Sequence, residues 1–273
     1  MVEQKRVLPE FESPPVIETV LGVQFNRLES FQIPHFGLYW NRVRQIYPRV
    51  EIQPPLSPAF EHFAVENVSE EFEIRLSGGP PELRCWFKNE EETHLIQIQR
   101  DRFIINWRKV TGKEEYPRYH RFRPRFQDEW IKFCNFLREE AIDCPQVNQC
   151  EVTYVNHFEC EKEFKHLGEV HKMFRVWSEL PREEFLPSPE AVRFHMRFAL
   201  PDQKGRLHVV AEPKIRTRDA KPVLQLMLTC RGRPDVMTTE GILDWFDLGH
   251  EWIVESFTEL TTHEMHQLWR RTV

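Results

Sequence analysis

Glycine is scarce, at 10 of 273 residues, and no Gly-rich loop follows any strand candidate. That leaves little backbone for cradling phosphate groups, and neither a GxGxxG turn, a P-loop nor a GxSxG nucleophile elbow occurs. No apolar run approaches the roughly 18 residues a membrane-spanning helix needs, and the opening MVEQKRVLPEFE lacks the apolar core of a signal peptide. The six cysteines contain no CxxC pair, so they read as reduced thiols of a cytoplasmic protein. His263, Glu264 and His266 lack the HExxH spacing that puts two imidazoles on one helical face, and read as a helical surface. Cys144, Cys150, His157, Cys160 and His166 lie close together in sequence but without the short paired spacing of a zinc knuckle. The sequence calls for no metal and no cofactor.

What is present can build a large core. The chain carries 21 Phe and 8 Trp with 40% hydrophobic and 29% charged residues, an ordinary globular balance. Its net charge of -6 argues against coating nucleic acid or membrane with the whole surface. One stretch runs the other way: residues 100–125 hold nine Lys or Arg against three acidic residues.

Hydrophobic periodicity predicts strands over residues 16–25, 71–76, 83–88, 95–99 and 103–108, with helices over 37–47 and 124–140. The same order restarts: a strand over 150–158, a helix over 170–180, strands over 191–200, 206–215 and 223–230, and a helix over 239–260. Sliding residues 17–48 onto 150–181 pairs Glu18 with Glu151, Phe25 with Phe158, Arg42 with Arg175 and Pro48 with Pro181. The closing helices share Glu129-Trp130-Ile131 and Glu251-Trp252-Ile253. The expected fold is therefore α+β: an N-terminal extension over 1–13, then two related strand–helix–strands–helix halves over 14–145 and 146–273. They would form an antiparallel sheet with helices on one face, saddle-like and pseudo-twofold. Trp130 and Trp252 should both be buried against it, and Glu18 and Glu151 should pair with Arg42 and Arg175.

Alternation along residues 191–200 puts Phe194, Met196 and Phe198 on one face and Arg193, His195 and Arg197 on the other. If its neighbours pair in register, His208 and Glu212 join that polar face, which suits an anionic ligand or an acidic partner. A solvated sheet face is the plainer reading. In the basic stretch, Arg100, Arg102, Arg108, Arg121, Arg123 and Arg125 interleave with aromatic residues as in single-strand nucleic-acid binders. Arg over Tyr or Phe anchoring the following helix explains the same pattern.

Three landmarks occur together: Pro14-Pro15-Val16-Ile17-Glu18-Thr19 with Val23 and Phe25, the His250, Ile253 and Phe257 spacing, and Leu260-Thr261 followed by His263 and Trp269. In these the chain resembles, from end to end, a sporadically distributed family of bacterial and archaeal proteins of about this length and unassigned function. The resemblance carries no catalytic residues over; sporadic distribution implies horizontal mobility and a role in defence, stress response or a toxin–antitoxin pair. The leading expectation is a non-catalytic adaptor that recognises a protein partner, a second copy of the chain included, and no membrane. A nucleic-acid binder using the basic stretch is one alternative. An enzyme or receptor for a small anionic ligand, with His195 and His208 in a sheet–helix cleft, is the other.

Overall fold

The computed structural model describes residues 7–63, 82–178, 185–187 and 189–273. Its strands are β1 (Val16–Phe25), β2 (Arg49–Gln53), β3 (Arg84–Lys88), β4 (His94–Gln99), β5 (Arg102–Arg108), β6 (Val147–Glu159), β7 (Phe194–Ala199), β8 (Arg206–Arg216) and β9 (Lys221–Gly232). The α-helices are α1 (Ile33–Val43), α2 (Tyr119–Glu139), α3 (Val170–Met173), α4 (Thr239–Leu260) and α5 (His263–Leu268). The nine strands make one sheet in the order β2-β3-β4-β5-β1-β6-β9-β8-β7. Every neighbouring pair is antiparallel. The predicted strand over 71–76 and the end of the predicted helix over 170–180 lie outside the described residues.

Period-two alternation decides the faces. Leu21, Val23 and Phe25 of β1, Phe103 and Ile105 of β5 and Leu226 and Leu228 of β9 point into one core. Helices α2 and α4 cover that face: Phe103 stacks on Phe133 at 5.0 Å, and Phe126 meets Phe246 edge-on at 4.7 Å. Thr238 caps α4 by accepting from the Gly241 amide, a hydrogen bond that fixes where the helix begins. Trp245, Gly249, Ile253 and Phe257, spaced by four, make its buried stripe. A Cβ on Gly249 would lie 3.1 Å from Val152 Cγ2, so the absent side chain lets α4 settle close over β6.

Two expectations need correction. Trp130 is buried, but Trp252 is only partly so, because it sits one residue off the buried stripe of α4. Nor do Glu18 and Arg42 pair. Glu18 points to the open face, where Asn106 donates to it at 2.6 Å, while Arg42 lies on α1 across the sheet, bonded to Glu139 and set over the Phe136 ring. Glu151 likewise takes Arg231 at 2.7 Å, and Arg175 is exposed.

Helix α3 is far shorter than its sequence pattern. The chain turns extended at Phe174, which bridges Thr261, and the Arg175 amide bonds the Leu260 carbonyl. This tertiary pairing overrides helix propensity.

Candidate functional site

The open face of the sheet and the helix-covered face each gather ionisable groups. On the open face, pairing of β7 with β8 brings together the residues singled out there: Arg197 lies opposite His208, His195 Nε2 is 3.4 Å from His208 Nδ1, and Arg193 is 3.2 Å from Glu212. Alternation alone missed the partner that completes this cluster. Residues 54–63 leave β2 and cross the open face from β3 to β8. The segment exchanges hydrogen bonds between Leu56 and Gln99, accepts from Arg84 at Pro54 and from Arg102 at Ser57, and donates from Ala59 to Gln24. At its far end the buried Glu61 bonds His208 at 2.7 Å and Arg206 at 2.6 Å, with Arg231 at 3.6 Å. Burial raises the Glu61 pKa, but the bonds from His208 and Arg206 and the Arg231 charge outweigh it and hold the carboxyl below its ordinary range. His195 and His208 therefore stand on the face away from the helices, not in a sheet–helix cleft.

The basic stretch does not form one surface. Arg102 and Arg108 face the open side of the sheet, where Arg102 bonds Gln24 and Arg108 bonds Glu92. Arg123 and Arg125 ride on α2 over the other side, bonded to Asp247 and to the Tyr47 hydroxyl. Arg100 is tied to Leu28 and Glu29, and Arg121 is exposed on α2. Among the described residues no helix is long and apolar enough to cross a membrane.

The sheet–helix cleft lies elsewhere. A cavity of about 910 Å³ opens between the start of α2 and the middle of α4, over β1, β6 and β9. Its floor is apolar, from Val16, Leu228, Ile253 and Phe257, and residues 8–11 wall one side. That wall is pinned twice. The Glu12 and Ser13 amides bond carbonyls at Arg270 and Trp269, and Arg118 donates to the carbonyls of Phe11 and Glu12 at 2.8 and 3.1 Å. Arg118 holds this position with φ 63° and ψ 151°, a left-handed φ that is costly for a side-chain-bearing residue.

Polar groups converge on the cavity. The Tyr116 hydroxyl donates to Tyr154 at 3.0 Å, and the Tyr154 hydroxyl meets His250 Nδ1 at 2.9 Å. Burial pushes His250 down to about 4, against the opposing Asp247 charge, so the ring is neutral at pH 7. The other ring nitrogen, Nε2, bonds no described residue. Tyr119 stacks on the same imidazole at 3.9 Å and 12°, and its hydroxyl and the Arg123 guanidinium both donate to Asp247, each at 2.7 Å. Burial first, and then Asp247, raises the Tyr119 pKa; burial pushes Tyr116 up to about 12.

Sequence reading passed over this cluster, because its members come from residues 116–119, 154 and 244–251. One signal was available: Asp244, Asp247 and Glu251, at i, i+3 and i+7, form an acidic stripe along one side of the predicted helix. No protein-family model matches the chain, and no curated protein shows significant similarity to it.

Proposed function

We propose that the protein is a binding protein whose site is the cavity between α2 and α4, and that it takes a small organic ligand there. The observation that carries this reading is the cavity of about 910 Å³ itself, with an apolar floor and a few convergent polar groups, the usual make-up of a ligand site. The strained Arg118 on its rim supports it, since backbone strain collects at binding sites. The neutral fluorophore N-phenyl-1-naphthylamine provides the test. Its emission should rise saturably at one molecule per chain, and Val254→Trp, which fills the cavity from α4, should abolish the rise. Emission that does not saturate, or that ignores Val254→Trp, contradicts the reading.

The cavity takes residues from both halves, and we propose that those halves descend from one duplicated unit. Read outward from the central β1–β6 pair, the strands run β5, β4, β3 on one side and β9, β8, β7 on the other, with β2 added at the edge of the first half alone. Glu18 lies opposite Arg108 and Glu151 opposite Arg231, the same pairing in each half.

A second reading, an acidic protein partner, is favoured by β7. It is the last strand of the sheet among the described residues, and Arg193, His195 and Arg197 on it are exposed. Arg193→Ala with Arg197→Ala should weaken such a complex and reduce its salt dependence; a complex unmoved by both changes would rule this surface out.

A further inference from the structure

The charge around the cavity selects among ligands. Four carboxylates line it, from Glu10, Asp244, Asp247 and Glu251, against the single guanidinium of Arg118, which is already committed to the Phe11 and Glu12 carbonyls. Asp247 is matched by Arg123 and Tyr119. Asp244 and Glu251 accept no hydrogen bond or ion pair from any described residue. Three acidic side chains three and four residues apart on one helix repel one another; the Arg123 charge offsets this at Asp247 and also acts on Asp244, while Glu251, exposed at the rim like Asp244, has no such neighbour among the described residues. Beside them the neutral His250 lines the cavity, and the Tyr119–His250 stack gives a flat, rigid wall.

Resting on the cavity reading above, we propose that the ligand is an amphipathic cation: a protonated amine on a flat aromatic or alicyclic body. The body lies on the apolar floor against Tyr119 and His250. The ammonium group reaches the rim between Asp244 and Glu251, where its charge relieves the repulsion along α4. An anionic ligand of the same shape would meet three carboxylates instead, and such like-charge contact is what excludes a wrong ligand.

Displacement of N-phenyl-1-naphthylamine by three isosteric probes separates this proposal from the one it rests on. Tryptamine is the cation, 3-ethylindole the neutral form and indole-3-propionate the anion. Tryptamine should displace the dye best and indole-3-propionate worst. The pair Asp244→Asn with Glu251→Gln should weaken tryptamine by roughly tenfold while leaving 3-ethylindole unchanged. Neither substitution removes a hydrogen bond made among the described residues, and unchanged dye binding confirms that the cavity is intact. If 3-ethylindole or indole-3-propionate competes as well as tryptamine, the cation proposal is overturned and the cavity reading stands. Failure of all three against a dye that still binds also overturns it. A dye insensitive to Val254→Trp overturns both.

Discussion

On the open face of the sheet one carboxylate, Glu61, gathers His208, Arg206 and Arg231, whereas on the helix-covered face Asp244 and Glu251 border a cavity with no cation among the described residues bonded to either. Both faces are ionic, but only one is closed on itself. A buried carboxylate must be paired, and residues 54–63 pair Glu61 by laying it into the basic patch of β8 and β9. The open face thus uses its charges to hold a strap. The cavity keeps carboxylates that accept no hydrogen bond from the described residues, and it does so around a space large enough for a molecule. The contrast shows why a cluster of titratable side chains is a poor pointer to function by itself: what matters is whether its hydrogen-bonding capacity is already used.

The largest expected effect tests how far the helix-covered face carries the fold. Trp130→Ala removes a buried ring packed on Phe25, Phe103 and Phe126, and should cost on the order of 3–5 kcal/mol in urea denaturation. Trp252→Ala, half-buried at the edge of α4, should cost less than half as much. Equal losses would mean that the two closing helices pack alike after all.

Next comes the strap. Glu61→Ala leaves His208, Arg206 and Arg231 without their shared carboxylate and should cost about 2–3 kcal/mol at pH 7. Because the folded pKa of Glu61 lies below its ordinary value, its contribution is present above about pH 4.3 and fades as pH falls through the lower folded value. The penalty of the substitution should therefore shrink in acid; a penalty independent of pH would show that Glu61 acts by packing alone.

His250 gives a smaller effect of distinct sign. With its folded pKa near 4 against about 6.5 when unfolded, the unfolded chain binds the extra proton between those values. Stability must fall as pH drops through that window. His94, also pushed down to about 4, and the lowered His157 and His266 act in the same direction. His250→Gln should therefore only flatten the curve, sparing on the order of 1–2 kcal/mol of the loss between pH 7 and pH 5. An unchanged curve would mean that His250 is solvated. Smallest of all, Asp244→Asn should raise stability by about 0.2–0.5 kcal/mol by thinning the acidic stripe, visible as a higher melting temperature.

Much of the sheet was legible because alternation is a strong signal. Strand β1 begins and ends where its Val, Ile and Thr pattern does, α4 runs the full length of its apolar period, and the polar face of β7 and β8 assembles as alternation required. Strand β2 was missed although Arg49-Val50-Glu51-Ile52-Gln53 alternates, because it is only five residues long and lies between Pro48 and Pro54-Pro55, which read as a connection. Helix α2 starts five residues before the predicted 124, because Pro124 is accommodated inside the helix instead of opening it. The open-face cluster was half legible: His195, His208 and Glu212 follow from parity, but Glu61 arrives from a loop whose path no periodicity encodes. The cavity was the hardest part. Tyr116, Tyr154 and His250 are distant in sequence, and only the packing of α4 and of the segment before α2 against β6 brings them into one hydrogen-bonded chain.

Either face of the sheet could receive a ligand, and the histidine ring signals report on both at once. Titrating N-phenyl-1-naphthylamine into the protein while following the imidazole carbon-bound protons by NMR should move the His250 resonance in step with the rise in fluorescence, leaving His195 and His208 in place. Movement of His195 and His208 with His250 unmoved would put the site on the open face and contradict the account.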